Sequence, residues 1–416
     1  MKRLFCYSFY ILFACQAYAQ SNHLVHEYGN LYRQYEFPQI KDTPAPHGFK
    51  PFYISHLGRH GSRYPVSRAY VYNGLDILQT GDSLGILTKE GHDLLQTYQK
   101  FDSLCVGMYG MLSDKGIKEH KLLAERMSKR FFSVFSNARR SRINVSSTDI
   151  PRAIVSGANF CSTLASHTSD LDFRFITGPK YTQLICNDSH PRIIANNKVG
   201  ASLSDAYMEK HFPYASFYGR IFTDTQKIYA QLKTKRLLVE STFANGIVAD
   251  ALGFPDMLRQ MTPEEFKEAS MAYTNKMFYN HCNGKVPGQW RRHFMDELLK
   301  DVISKADAAL SAGSNVAADL RFGHDTGIMP FFSLIGIEAF ERQWDFDEAC
   351  LFWNPTETMC MATNFQMIFY QNKQRDVLVK MLVNEKETCL PLLKPFAAPY
   401  YKWDDLKAYF LRRLAD

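Results

Sequence analysis

Apolar and polar positions follow one another along this chain with periods that predict its elements. Residues 52–57 form a short apolar run with partial alternation, the mark of a strand. Beyond it Asn73-Gly74, Gly81-Asp82 and Gly85 predict a long irregular stretch. Ser113 is placed to cap a helix over 114–135, where Leu123, Met127, Phe131 and Phe135 recur every four residues as one buried stripe. Residues 142–147 read as a second strand. Pro151, favoured in a first helical turn, then opens a helix to about 166, capped by Thr148 or Asp149. A third strand is expected at 317–323, with Ala318, Leu320 and Phe322 on one face, and an apolar helix at 328–337. Runs at 367–370 and 377–384 read as paired strands joined by the polar turn 371–375. Between 185 and 305 helical patterns dominate, with Thr262-Pro263-Glu264-Glu265 as a capping box, so this region reads as a helical insertion. No internal repeat or low-complexity linker divides the chain.

Composition adds an export signal and removes nucleic acid as a partner. The 416 residues, 46% hydrophobic and 22% charged, suit one large soluble domain or two ordinary ones. Aromatic residues make up 14%, which points to a heavily packed core or an aromatic-lined cleft. Lys2 and Arg3, an apolar stretch to Cys15 and Ala17-Tyr18-Ala19 form a cleavable leader over residues 1–19. The mature protein is then expected to be exported, either periplasmic or secreted; a lipoprotein anchored at Cys15 is the alternative. The apolar run is too short to span a bilayer, and no later stretch is long and apolar enough. The net charge of +7 falls by two without the leader. That mild excess suits a small anionic substrate and lacks the concentrated basic stripe nucleic acid demands. Nine cysteines become seven once Cys6 and Cys15 leave, an odd number in no metal-binding spacing.

The densest chemistry lies in Arg59-His60-Gly61-Ser62-Arg63-Tyr64-Pro65. Two guanidiniums can hold a phosphate by forked, charge-assisted hydrogen bonds, and a histidine nitrogen between them can attack the phosphorus. Gly58 and Gly61 are expected to let the backbone turn sharply there. Three predicted strands lead into Arg59-His60, Arg152 and His324-Asp325. Ligands in open α/β sheets sit outside the carboxyl ends of strands, so these segments meet in one crevice if the strands are neighbours. Arg59, Arg63 and Arg152 would then neutralise a phosphate and its transition state. His60 would attack through one ring nitrogen, the other being tied to a backbone carbonyl. His324 would donate a further hydrogen bond. Asp325 would protonate the leaving oxygen and later accept a proton from water.

These residues carry a family resemblance. Arg59-His60-Gly61-x-Arg63-x-Pro65, followed far downstream by His324-Asp325, resembles the histidine acid phosphatases, the second branch of the histidine phosphatase superfamily. Ser147-Thr148, then Arg152 and Ser156, resembles that family's third-arginine segment. Within the family, the segment 59–65, Arg321-Phe322-Gly323-His324 and the run from Ile328 to Gly336 are most similar to the multiple inositol polyphosphate phosphatases. That group has His-Ala-Glu where this chain has His324-Asp325-Thr326, the pattern of the wider acid phosphatase and phytase family. The acid is therefore carried over as Asp325.

The resemblance implies an α/β fold of the phosphoglycerate-mutase-like type, with a mostly parallel central sheet flanked by helices. Residues 20–184 and 306–416 would form that domain, with a helical domain, 185–305, inserted. It implies release of phosphate from inositol polyphosphates, phytate included, through a phosphohistidine, with no metal or cofactor. The same chemistry on sugar phosphates or a broad range of monoesters is the alternative. From another class comes a non-catalytic phosphate-ester binding protein that has kept the pocket.

Other polar residues read more simply. His56 and His60 are four apart but lack a third ligand for a metal. His92, His120, His190, His211, His281 and His293 read as surface or hydrogen-bonded histidines. Arg291-Arg292-His293 reads as a helix surface patch, with reach toward a polyphosphorylated ring as the alternative. Arg321 is expected either at the cleft or in a structural ion pair.

Overall fold

The computed structural model describes residues 23–137, 139–168, 170–286 and 289–416; the expected leader lies outside them. One eight-stranded sheet forms the centre. Its strands are β1 (Lys50–Arg59), β2 (Arg142–Ser147), β3 (Asp172–Thr177), β4 (Val316–Gly323), β5 (Asn364–Gln371), β6 (Val377–Val383), β7 (Lys386–Thr388) and β8 (Tyr400–Lys402). The order in space is β3-β2-β4-β1-β5-β6-β7, with β8 against β6. Strands β3, β2, β4 and β1 run parallel. The remaining strands extend the sheet antiparallel. The expected α/β class, helices flanking a mostly parallel sheet, is what the chain adopts.

The three strands that carry chemistry are neighbours, and their carboxyl ends are level. Arg59 pairs with Gly323 across β1 and β4, and Ser147 with Phe322 across β2 and β4. Strand β1 continues two residues beyond the expected 52–57 and is buried from Tyr53 to Arg59. Its polar residues conceal that extension in the sequence, but β1 lies inside a sheet whose two faces are both covered by packed core, so it is buried whatever its side chains. Gly58 therefore lies inside a strand, and neither it nor Gly61 has a positive φ. The two glycines serve close packing, not the sharp turn expected of them.

The longer helices are α1 (Arg68–Ser83), α2 (Lys89–Cys105), α3 (Asp114–Arg130), α4 (Pro151–His167), α5 (Pro191–His211), α6 (Arg236–Ala251), α7 (Pro263–His281), α8 (Asp296–Leu310), α9 (Asp325–Ile335) and α10 (Trp403–Ala415). Helices α1 and α2 occupy the stretch expected to be irregular. Gly74 lies inside α1 because a Cβ there would sit 2.4 Å from the Tyr98 hydroxyl of α2, and Gly81 because one would sit 2.5 Å from the Phe222 ring. Close helix packing, not a turn, explains both. Helix α3 has the expected Ser113 cap, whose hydroxyl accepts from the Gly116 amide at 3.2 Å. It breaks at Phe131, and a single turn, Phe132–Phe135, completes the apolar stripe. Helix α7 opens with the expected Thr262/Glu265 capping box.

Core side chains gather on both faces of the sheet and in a third, helical cluster. That cluster joins α1 and α2 to α6 and α7 through residues such as Val71, Tyr98, Phe243 and Phe266. The helical layer thus draws on 68–105 as well as on the expected insertion. All seven cysteines of the described chain are unpaired. Among the described residues no helix is long and apolar enough to cross a membrane.

Candidate active site

The loop after β1 is fastened from four sides. The His60 amide donates to the Gly323 carbonyl at 2.9 Å and the Gly61 amide to the Ser156 hydroxyl of α4 at 3.2 Å. The Ser62 carbonyl accepts from both the amide and the hydroxyl of Ser113. Behind the loop, the Glu119 carboxylate accepts from the Ser62 amide (2.7 Å), the Ser62 hydroxyl (2.8 Å) and the Tyr35 amide (3.1 Å). Burial pushes the Glu119 carboxyl up, and the Ser62 hydrogen bonds oppose it. Glu119 precedes Leu123 by one helical repeat, so the buried stripe of α3, extended back one turn, contained the signal for it.

A Cβ on Gly61 would lie 2.7 Å from both the Cα and the carbonyl oxygen of Gly116 on α3. Backbone there cannot yield as a flexible side chain would. Gly61→Ala is expected to lower stability by roughly 1–3 kcal/mol, the usual cost of overpacking. Urea unfolding measures it, and an unchanged midpoint would mean that α3 moves away freely.

His60 is buried, and its Nδ1 faces the Gly61 carbonyl oxygen at 2.8 Å. A carbonyl only accepts, so in the neutral ring Nδ1 carries the hydrogen and Nε2 the lone pair. The ring is held neutral: burial, and then the charges of Arg152 and Arg59, hold its pKa well below the ordinary value.

Three guanidiniums converge around it. Arg63 donates from Nη1 to the Tyr64 carbonyl at 3.0 Å, and its Nε has no partner. Arg152, in the first turn of α4, also has an unpartnered Nε. Burial, and then Arg63, lower its pKa to about 10. Arg59 is fully buried, with Nη1 donating to the carbonyls of Leu31 (2.6 Å) and Met359 (2.8 Å) and Nη2 to Asp325 Oδ2 (2.7 Å). Its Nε too lacks a partner. Buried donors without acceptors are costly, and three cations here face one carboxylate. The arrangement is that of an anion site.

His324 and Asp325 stand at the opening of α9, which starts three residues before the expected position and ends at the left-handed Gly336. The rings of His60 and His324 are 5.3 Å apart. His324 Nε2 lies 2.9 Å from the Thr148 hydroxyl, and Nδ1 lies 3.4 Å from Arg152 Nη2. A guanidinium only donates, so in the neutral ring Nδ1 accepts from Arg152 and Nε2 carries the hydrogen, donating it to the Thr148 hydroxyl. Burial pushes the Asp325 carboxyl up, but Arg59 and Arg63 outweigh it, and its pKa lies below the ordinary value.

His60, Arg63, Arg152, His324 and Asp325 all line one cavity of about 1090 Å³, whereas Arg59 stands behind it and reaches it through Asp325. The site residues expected from the sequence thus come together, with Arg59 in a second layer. His56 does not join them; it is buried against the rings of Phe160 and Phe322. Arg321 forms a structural pair with Asp301 at 2.8 Å. Arg291 is no surface residue: it is fully buried and donates to the Thr326 carbonyl at 3.0 Å. His120 and His281 are buried as well, and His120 has no hydrogen-bond partner on either ring nitrogen. Thr148, which the sequence marks only as part of the third-arginine segment and as a helix cap, contacts His324, and Glu119, for which the sequence assigns no role, holds Ser62.

The sequence profile of the histidine phosphatase superfamily (branch 2) matches residues 54–384. No curated protein matches the chain. Among solved structures, the multiple inositol polyphosphate phosphatase of Bifidobacterium longum, in complex with inositol hexasulfate, superposes with a TM-score of 0.77 at 20% identity, over 92% of this chain and 97% of that one. The phytase from D. castellii gives 0.70 at 15% identity, over 94% and 85%. The Hafnia alvei phytase in complex with tartrate gives 0.58 at 12% identity, over 89% and 98%. These likenesses extend over nearly the whole fold. The profile match spans every site segment from His60 to Asp325, and on it the chain belongs to the second branch of the histidine phosphatase superfamily.

Proposed function

We propose that the protein hydrolyses phosphate monoesters through a phosphorylated His60, with inositol polyphosphates of the phytate type as its substrates. The observation that carries this reading is the neutral His60 ring, with Nδ1 anchored and Nε2 free, among three guanidiniums with unpartnered donors. Arg63 and Arg152 hold the phosphoryl oxygens from the cavity wall, and Arg59 adds its charge from behind. Nε2 attacks phosphorus; the P–N bond forms as the bond to the leaving oxygen breaks, and the Asp325 carboxyl gives its proton to that oxygen. Water then attacks phosphorus, the P–N bond breaks, and the Asp325 carboxylate takes a proton from the water. The Gly61 carbonyl stabilises the positive ring of the intermediate through Nδ1. The named activities of the structural relatives support the inositol phosphate class.

A sugar-phosphate substrate is the second reading, favoured by the amides and hydroxyls that line the cavity, Asn73, Asn280 and Ser241 among them. Export through the leader at residues 1–19 belongs to the same proposal. A pure binding protein would need the arginines but neither a free Nε2 nor an acid beside it. Single-turnover quenching with labelled substrate in the presence of chelator tests the proposal. The expected product is an acid-labile, base-stable phosphoprotein at His60. Turnover without such an adduct, or activity lost entirely to chelator, would sink it.

A further inference from the structure

Three histidines line the cavity, and each places its ring hydrogen differently. His60 turns a lone pair to the cavity, and His324 gives its hydrogen to Thr148. His281 is the third. It ends α7, on the helix face that also brings Tyr273, Met277 and Asn280 to the cavity wall. Its Nδ1 lies 3.4 Å from Arg291 Nη2. That is a long hydrogen bond, but a guanidinium presents only hydrogens, so Nδ1 meets it with a lone pair and Nε2 carries the ring hydrogen. Burial, and then the Arg291 charge, push the pKa of the ring down to about 3 against the pull of the Asp325 carboxylate, so the imidazole is neutral. Nε2 makes no hydrogen bond among the described residues, yet it is not sealed in protein as both nitrogens of His120 are. The cavity is the space it opens on.

Arg291 fixes where that N–H stands. It is fully buried, and the same Nη2 donates to the Thr326 carbonyl at 3.0 Å, in the first turn of α9 directly after Asp325. Asp188 Oδ1 balances its charge at 3.5 Å, while Nε and Nη1 have no partner. One guanidinium therefore joins the His281 ring to the turn that holds the acid. In the proposed mechanism Asp325 meets the leaving oxygen, so a donor tied to the same turn serves the alcohol side of the ester, as Arg63 and Arg152 serve its phosphoryl side.

Resting on the phosphatase reading, we infer that His281 is a further substrate-binding residue, whose Nε2–H donates to an oxygen that the substrate carries beside the scissile ester, and that Arg291 is the positioning residue that directs it. The acceptor is a phosphate oxygen where the neighbouring ring carbon is phosphorylated and a hydroxyl oxygen where it is not. A neutral donor serves both, so the contact persists as a polyphosphorylated ring loses its phosphates. It sets the ring so that the leaving oxygen meets Asp325.

The test compares kcat/KM of the wild type and His281→Phe on three alkyl esters. Cyclohexyl phosphate has no oxygen beside the ester, myo-inositol 1-phosphate has hydroxyls there, and myo-inositol hexakisphosphate has phosphates. Phenylalanine fills the buried volume without offering a donor. The expected result is a loss of about tenfold on at least one inositol ester, the scale of one hydrogen bond withdrawn, and a much smaller loss on cyclohexyl phosphate. The inositol ester that loses more identifies the acceptor as hydroxyl or phosphate. Should that variant fail to fold, Arg291→Met, which frees the ring to take the other tautomer, is expected to give the same pattern at about threefold. Equal losses on all three esters, or no loss on either inositol ester, overturn the inference and leave the phosphatase reading intact. If the wild type hydrolyses none of the three, it is the phosphatase reading that falls.

Discussion

His60→Ala is expected to reduce kcat by at least about four orders of magnitude, the scale on which removing a covalent nucleophile acts. The loss should be confined to chemistry. Arg63 and Arg152 line the cavity independently of the imidazole, and Arg59 is fixed by the carbonyls of Leu31 and Met359. The variant should therefore still bind inorganic phosphate, as titration calorimetry would show, while forming no labelled adduct. Thermal unfolding serves as the control, because the deleted ring is buried. Retention of a tenth of the wild-type rate would mean that water attacks phosphorus directly and that His60 merely fills space.

Asp325→Asn is expected to cost about two to four orders of magnitude on alkyl phosphates, the range of general acid catalysis, and far less on 4-nitrophenyl phosphate. An alkoxide needs a proton to leave and a nitrophenolate does not. Equal losses on both esters would make Asp325 a scaffold for Arg59 and not the acid. The pH dependence gives an independent check. The guanidiniums of Arg59 and Arg63 hold the carboxyl below its ordinary value in the free protein, so the protonated form required for the first step grows as pH falls. A bound phosphate dianion offsets those cations and raises the same pKa. For an alkyl ester, the basic limb of kcat should therefore lie at higher pH than that of kcat/KM. Asparagine does not titrate, and the variant should lose this separation.

Local signals in the sequence were reliable where one segment decides its own structure. Strand β2 has the expected limits, 142–147, because its alternation ends just before Pro151, which begins α4. The paired strands β5 and β6 follow from the two apolar runs and the polar turn between them. Signals failed where the reason for a residue lies far along the chain. Gly74 suggested a turn because the ring of Tyr98, against which it packs, is invisible locally. The polar triplet His324-Asp325-Thr326 hid the first turn of α9, since its side chains are directed to Thr148, Arg59 and Asp188 rather than to an apolar face. Site residues with strong chemical character, His60 and the arginines, were legible by type and spacing. That Arg59 reaches the cavity only through Asp325 depends on carbonyls at 31 and 359, which no local pattern couples to it.

The position of β4 has a consequence for the birth of the protein. It lies between β1 and β2, yet it is made last of the three, after more than half the chain has emerged. Until residue 316 is available, β1 and β2 have no common neighbour, and each presents an open edge able to pair with another chain. The long helical segment between β3 and β4 can condense on its own core meanwhile, but the sheet must wait for a contact distant in sequence, which is slow to form. A ribosome stalled before β4 would therefore release a chain with folded helices and no reactive centre. Such a half-built sheet is the kind of species that holding chaperones and quality-control proteases must intercept.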